Sequence, residues 1–102
     1  EHLARTLWGI RFRSPLMNAA GMFKNGECYE MVAAQGAGAY LAGTGTWNAR
    51  KGNEKEDIRL PFVPYPSSHA ASNWLGLPND GDEINSSRAF AFERTTPIFI
   101  KL

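Results

Sequence analysis

Residues 15–27 read Pro15-Leu16-Met17-Asn18-Ala19-Ala20-Gly21-Met22-Phe23-Lys24-Asn25-Gly26-Glu27, and they give the strongest indication of the fold in this sequence. An apolar run at residues 16–20 predicts a strand, which leads through a turn of small residues towards a helix. Ala19, Ala20 and Gly21 leave backbone N–H groups uncovered, so a flat ring or a phosphate is able to approach closely. Lys24 adds a positive charge beside them. The stretch therefore predicts a corner of an α/β fold that suits an anionic, planar ligand.

The segment that follows this corner predicts a helix at residues 26–35. Cys28, Met31 and Val32 fall at helical spacing, so we expect all three on the buried apolar face. Gly36 follows the helix, as glycine commonly does. A buried cysteine in this position indicates a structural thiol and not a nucleophile.

The strands around this helix predict a parallel sheet. A second buried strand is expected at residues 39–42, and a helical crossover makes it parallel to the strand at 16–20. Another strand is expected at residues 98–102. Gly21 and Gly43 then lie at carboxyl ends of parallel strands, which is where ligand sites of α/β folds occur.

The rest of the chain is less regular. An alternating pattern predicts one strand at residues 7–12, and a polar stretch predicts a surface connection at 47–59. Three prolines indicate an extended but not central segment at 60–66. A long loop is expected at 67–81 and a short helix at 83–94.

Composition excludes several classes of function. The chain has 102 residues, a formal net charge of +1 and 43% hydrophobic residues, which is typical of a globular protein. Its charged stretches mix both signs, so nucleic acid is not an expected partner. Cys28 is the single cysteine, and His2 and His69 lie far apart, so neither a disulfide nor a metal site is expected. A reducing, cytoplasmic location is the simple interpretation.

A series of short blocks extends over residues 9–81 in a specific order and spacing. The blocks are Gly9-Ile10-Arg11-Phe12, Ser14-Pro15-Leu16, Ala19-Ala20-Gly21, Lys24-Asn25-Gly26-Glu27, Gly36-Ala37-Gly38-Ala39, Gly43-Thr44-Gly45-Thr46, Gly52-Asn53 and Asn73-Trp74-Leu75-Gly76-Leu77-Pro78-Asn79. Together they resemble the N-terminal part of the dihydroorotate dehydrogenases.

This resemblance implies a fold and an activity. The family fold is a (β/α)8 TIM barrel that holds FMN at the carboxyl ends of its strands, so residues 1–102 are expected to form a portion of one FMN-binding barrel domain. The family reaction oxidises dihydroorotate to orotate in pyrimidine (UMP) biosynthesis. A base removes a proton from C5, and a hydride passes from C6 to flavin N5.

The resemblance also assigns roles to individual residues of this sequence. The residues expected to bind the cofactor are Ala19, Ala20, Gly21, Lys24, Gly43, Thr44, Asn73 and Lys101. Those expected to bind the substrate are Lys24, Asn73, Leu75, Gly76 and Leu77, with the backbone of the last three cradling the substrate carboxylate. The alternatives are a solvated surface charge for Lys24, a helix cap for Thr44 and an ordinary turn residue for Asn73. Trp74 and Leu75 either line the pocket or pack beneath the loop.

The class of the enzyme stays open in the sequence. Lys24 occupies the position of the lysine in the quinone-linked, membrane-associated class, whereas the soluble class places a lysine where Gly43 stands. The run at residues 76–79 looks more like the soluble class. The resemblance therefore leaves quinone or fumarate as the electron acceptor. Association with the inner membrane through a segment outside this sequence and a homodimer remain options.

The sequence departs from the family after Asn79. The block with the catalytic base is absent between Asn79 and Lys101, as are the phosphate-binding glycines that follow the lysine strand, so no catalytic base is assigned. We expect a hidden break in the chain between about residues 82 and 97. Two other interpretations stay open: a related flavin-dependent pyrimidine oxidoreductase, and a non-catalytic truncated remnant that acts as a binding module.

Overall fold

A parallel pair of strands forms the centre of the fold. The computed structural model describes residues 2–58, 60–91 and 96–101, with the side chains of 89–91 outside that description. Strand β3 (Tyr40–Gly43) pairs with strand β6 (Ile98–Lys101) so that Tyr40 lies opposite Ile98 and Gly43 lies opposite Lys101. The buried strand predicted at 39–42 and the parallel sheet are confirmed.

The segment at residues 16–20 runs alongside β3 but is not a regular strand. It makes one parallel bridge, between Met17 and Ala39. Beyond that bridge, the side-chain amide of Asn18 donates to the carbonyl of Leu41 (2.7 Å) and accepts from its N–H (3.0 Å). The prediction of a regular strand is therefore wrong, because the side chain of Asn18 takes the place of backbone groups in the ladder. The predicted parallel direction is confirmed by the bridge.

Helix α1 (Tyr29–Ala34) is shorter than predicted and buries a different face. Gly26 and Cys28 have φ of 87° and 58°, so the backbone enters the helix only after residue 28. Cys28 and Met31 are exposed, while Tyr29, Val32 and Ala33 are buried. The expectation of a buried Cys28 is wrong, because the left-handed turn delays the helix and sets a different residue on its inner face.

The core lies between α1 and β3. It consists of Tyr29, Val32, Tyr40 and Ala42, with the two tyrosine rings in edge contact at a centroid distance of 5.5 Å. The Tyr40 hydroxyl lies 2.7 Å from the carbonyl of Glu27. Burial, with smaller effects from Glu27 and Cys28, raises the pKa of Tyr40 above its usual range. The core is thus built around two aromatic rings whose hydroxyl groups are hydrogen-bonded to backbone groups.

The first residues form a hairpin where one strand was predicted at 7–12. Strands β1 (Arg5–Leu7) and β2 (Ile10–Phe12) pair antiparallel around a two-residue turn. Trp8 and Gly9 both have positive φ, 52° and 76°, as the favoured hairpin turns require. The prediction of a single strand is wrong because the chain reverses at Trp8.

A second hairpin projects from the middle of the chain. Strand β4 (Phe62–Tyr65) leads through a 3-10 turn (Pro66–Ser68) into strand β5 (Ala70–Asn73). The extended segment predicted at 60–66 is confirmed by β4. It is not a central strand, since the β4–β5 sheet has two strands and β4 pairs along one edge alone among the described residues. The predicted loop at 67–81 is wrong over the residues of β5, which pair with β4.

Helix α2 (Asp82–Ala91) returns the chain towards β6. The helix predicted at 83–94 is confirmed as far as residue 91, and its remainder lies outside the described residues. The sheets of the described residues have two strands each, and none closes into a barrel. The radius of gyration of 15.4 Å exceeds the roughly 13 Å of a compact domain of this length, so this is an open α/β arrangement.

Candidate functional site

A cleft of about 540 Å³ opens beside the carboxyl end of β3. Its volume lies within the usual range for sites that bind small molecules. It brings together eight of the residues that the sequence predicted for ligand binding: Ala20, Gly21, Lys24, Thr44, Asn73, Leu75, Gly76 and Leu77. Residues from three separate segments therefore line one cavity.

Three further side chains line the same cleft. Met22 and Phe62 were not predicted, and Phe62 enters because β4 pairs with β5 directly opposite Asn73. Trp74 also lines the cleft, with 47% of its surface exposed, which answers the question left open for this residue. The pairing of Phe62 with Asn73 carries no signal in the sequence, since it depends on the register of the hairpin.

Backbone hydrogen bonds fix the turn at residues 20–24 against the end of β3. The N–H of Gly21 donates to the carbonyl of Gly43 (2.6 Å), and the N–H of Gly43 donates to the carbonyl of Lys24 (3.1 Å). A Cβ at Gly43, where φ is 103°, would meet the carbonyl oxygen of Lys101. Gly43 therefore joins the turn, β3 and β6 in a space that admits no side chain.

Gly21 provides an open surface in the wall of the cleft. Its φ is 94°, and a Cβ at this position would meet no atom within 4 Å. The missing side chain leaves exposed backbone at the cavity rather than a packed contact. This geometry fits the close approach of a flat ring.

Lys24 is the cationic residue of the cleft and also lines a neighbouring cavity of about 500 Å³ with Glu27 and Arg50. Partial burial lowers the pKa of the Lys24 ammonium, and the carboxylate of Glu27 acts in the opposite direction. A partly desolvated cation in a cavity wall attracts an anion more strongly than a fully hydrated one. The residue suits a ligand with negative charge.

The loop after β5 presents backbone groups to the cleft. Gly76 and Leu77 both have positive φ, 74° and 57°. Neither of their N–H groups donates a hydrogen bond to a described residue. Neighbouring groups are held in place, since Asn53 donates to the carbonyls of Trp74 (2.6 Å) and Leu75 (2.9 Å). The loop thus offers two N–H donors that no described residue accepts, on a backbone held in place by Asn53.

Three predicted cofactor residues do not line the cleft: Ala19, Gly43 and Lys101. Gly43 lies just behind the wall through its backbone bonds. Lys101 is exposed at the end of β6. Its carbonyl nevertheless accepts from the N–H of Gly45 (2.8 Å), which links β6 to the loop that carries Thr44.

The alternative role for Thr44 as a helix cap is not supported, since no helix begins between residues 44 and 58. Within the part of the chain that the structure describes, no group of three or more His, Cys, Asp or Glu side chains comes together as a metal site. Over the same residues, no helix combines the length and the apolar character needed to cross a membrane.

Comparison with known proteins agrees with this arrangement. The family model described as dihydroorotate dehydrogenase matches residues 2–101. The chain belongs to this family. The predicted resemblance is therefore confirmed over almost the whole sequence.

Curated relatives carry the same name. A protein named dihydroorotate dehydrogenase (quinone) from Baumannia cicadellinicola subsp. Homalodisca coagulata is 50% identical over 78 residues, which cover 76% of this chain and 22% of the relative. Its namesake from Thermosynechococcus vestitus is 36% identical over 100 residues, which cover 98% of this chain and 26% of the relative. A third, from Vibrio vulnificus, is 49% identical over 81 residues, covering 78% and 24%. The chain spans about a quarter of the length of these relatives.

Proposed function

We propose that this chain forms the FMN- and substrate-facing portion of a dihydroorotate dehydrogenase, in a partial (β/α)8 barrel. The convergence of Lys24, Thr44, Asn73 and the 75–77 loop on one cleft at the carboxyl end of β3 carries the proposal. Three non-adjacent blocks that identify the family meet there. The packing of a small hydrophobic core does not by itself require these three blocks to line one cavity.

The open backbone at Gly21 fits the flat ring of FMN. Ala19, Ala20 and Gly21 would lie against this ring, while Thr44 would contribute a hydroxyl group from the loop after β3. When bound, FMN supplies the acceptor for the hydride that leaves dihydroorotate. Lys101 would contribute a cation near the ring. The Lys101 side chain does not line the cleft, so this assignment stays a prediction.

The substrate fits the polar end of the same cleft. The ammonium of Lys24 would pair with the carboxylate of dihydroorotate or orotate, and Asn73 would hydrogen-bond the pyrimidine ring. The unpaired N–H groups of Gly76 and Leu77 are donors suited to the same carboxylate. These groups bind and orient the substrate; the base that takes the C5 proton is not assigned to a residue of this chain.

Quinone is the electron acceptor that we favour over fumarate. Two observations support it: the position of Lys24, which resembles the quinone-linked class, and the name of the relatives. Peripheral association with the inner membrane follows from this choice. A cytoplasmic location belongs to the fumarate alternative. A homodimer and a break between residues 82 and 97 stay predictions, and residues 92–95 of that interval lie outside the described structure.

Two measurements test the proposal on the purified chain. Visible absorption after addition of FMN and removal of the excess reports cofactor binding, and a colourless protein contradicts the proposal. Titration calorimetry with orotate in the presence of FMN reports the substrate site. We expect Lys24→Ala to weaken orotate binding by more than about tenfold, because it removes a charge-assisted contact.

Lys55→Ala is the matched control for that titration. Lys55 is exposed on the 47–58 connection and lies outside both cavities that Lys24 lines. We expect this variant to bind orotate as the unchanged chain does. Equal weakening by both variants would indicate a general effect of charge and would remove Lys24 from the site.

A further inference from the structure

Asn79 is buried at the base of the loop that follows β5, with 5% of its surface exposed. Its Oδ1 accepts from the N–H groups of Thr46 (3.2 Å) and Gly81 (2.9 Å). Its Nδ2 donates to Thr46 Oγ1 (2.9 Å) and to the carbonyl of Leu77 (2.9 Å). The side-chain amide therefore uses its full hydrogen-bonding capacity.

The backbone of Asn79 is equally committed. Its N–H donates to the carbonyl of Arg50 (2.9 Å), and its carbonyl accepts from the N–H of Arg50 (2.8 Å). A residue whose backbone and side chain are both bonded has little freedom to move. Asn79 is thus a fixed point from which the neighbouring loop is held.

One side of this fixed point is Leu77. Leu77 is a non-glycine residue at φ 57°, a conformation that L-residues adopt at a cost. The bond from Asn79 Nδ2 to the Leu77 carbonyl closes a local turn around it. It therefore fixes the Leu77–Pro78 peptide and, through it, the backbone that leaves Leu77, the residue that carries one of the two N–H donors of the cleft.

The other side of the fixed point is Thr46. Thr46 belongs to the connection that leaves β3 and carries Thr44, a lining residue of the cleft. The Asn79 amide bonds both the N–H and the hydroxyl of Thr46. A single side chain thus joins two walls of the cleft, the connection after β3 and the loop after β5.

We propose that Asn79 is a positioning residue for substrate binding: it holds the Gly76–Leu77 backbone at a fixed distance from the Thr44 wall. This inference rests on the proposed function, because it takes the bound group to be a pyrimidine carboxylate. Asn79 does not line the substrate cleft and acts through Leu77 and Thr46. Replacing the Asn79 side chain changes none of the residues that line the cleft, but it removes the hydrogen bonds that set the distance between its two walls.

Two variants separate positioning from general stability. Asn79→Ala removes all four side-chain bonds. Asn79→Asp, when ionised, keeps acceptors for the N–H groups of Thr46 and Gly81 but loses the donor to the Leu77 carbonyl and to Thr46 Oγ1. We expect both variants to weaken orotate binding by about tenfold in calorimetry with FMN present. We also expect Asn79→Asp to unfold at a higher urea concentration than Asn79→Ala, because it keeps two of the hydrogen bonds.

Asn85→Ala is the matched control, because Asn85 is another buried asparagine, with 4% exposure, whose side-chain amide has no partner among the described residues. We expect it to bind orotate as the unchanged chain does. If Asn79→Asp binds orotate as the unchanged chain does, the positioning role is overturned while the proposed function stands. If the unchanged chain binds no orotate, both are overturned.

Discussion

The core and the cleft of this chain are held together by different kinds of interaction. The core around Tyr29 and Tyr40 depends on large side chains that exclude water. The cleft depends on backbone bonds at Gly21 and Gly43, and on the amide of Asn79. The two regions therefore place different demands on the sequence: the core requires large buried side chains, whereas the cleft requires glycines at close backbone contacts and an amide that bonds both of its walls.

Tyr29→Ala gives the largest effect that we expect. Tyr29 is 1% exposed, and its hydroxyl lies 2.8 Å from the carbonyl of Thr96. Truncation leaves a cavity and unpaired groups, so the free energy of unfolding falls by about 3–5 kcal/mol in urea titrations followed by circular dichroism. Met31→Ala, on the exposed face of the same helix, changes it by less than about 0.5 kcal/mol. Similar losses in both variants would contradict the assignment of the buried face.

Gly43→Ala tests the junction between core and cleft. The new Cβ meets the Lys101 carbonyl at a φ that suits glycine, so we expect the free energy of unfolding to fall by roughly 3 kcal/mol. Gly21→Ala has a comparable φ but open space, and we expect a loss of about 1 kcal/mol together with weaker FMN binding. Equal losses of stability would mean that the contact with β6 does not constrain Gly43.

The pH dependence of orotate binding sharpens the description of the cleft. Burial lowers the pKa of Lys24, so its ammonium loses its proton at a lower pH than an ordinary lysine. Orotate affinity measured by calorimetry should then fall, by up to about tenfold, as the pH rises towards the usual lysine pKa. In Lys24→Arg the cation persists, so the decline disappears. A decline that survives in Lys24→Arg would assign it to another group.

Tyr40→Phe gives the smallest effect and concerns the core. Removal of the hydroxyl that bonds Glu27 lowers the free energy of unfolding by about 1 kcal/mol near neutral pH. Because the folded-state pKa of Tyr40 is raised, its contribution is present below the unfolded-state pKa and is lost as the pH rises above about 10. The free energies of unfolding of the unchanged chain and of Tyr40→Phe should converge in urea titrations at alkaline pH. Tyr65→Phe, an exposed tyrosine, serves as the control.

The sequence predicted the parts of the fold that depend on local pattern. The apolar run at 39–42 and the small residues at 19–21 are visible in the sequence, and they led to β3 and to the cleft. The face of α1 was misplaced because the left-handed conformation of Cys28 shifts the start of the helix. No periodicity reveals a single residue with positive φ.

Other features depend on residues that are distant in the chain. Strand β5 escaped prediction because all its residues are exposed, so it has no alternation of apolar and polar positions. The need for glycine at position 43 comes from Lys101, and the role of Asn79 comes from Thr46. Family blocks indicated which residues to expect around the cleft, whereas the bonds that hold those residues emerged only from the three-dimensional arrangement.

The pairing of Gly43 with Lys101 also has a consequence for the order of folding. Contacts between distant residues form late, because closing a long loop costs entropy before the contact contributes. The turn at residues 20–24 is able to meet Gly43 early, yet the opposing strand reaches Gly43 only after residue 101 has been synthesised. During synthesis on the ribosome, the cleft therefore acquires its final shape only after β6 has emerged.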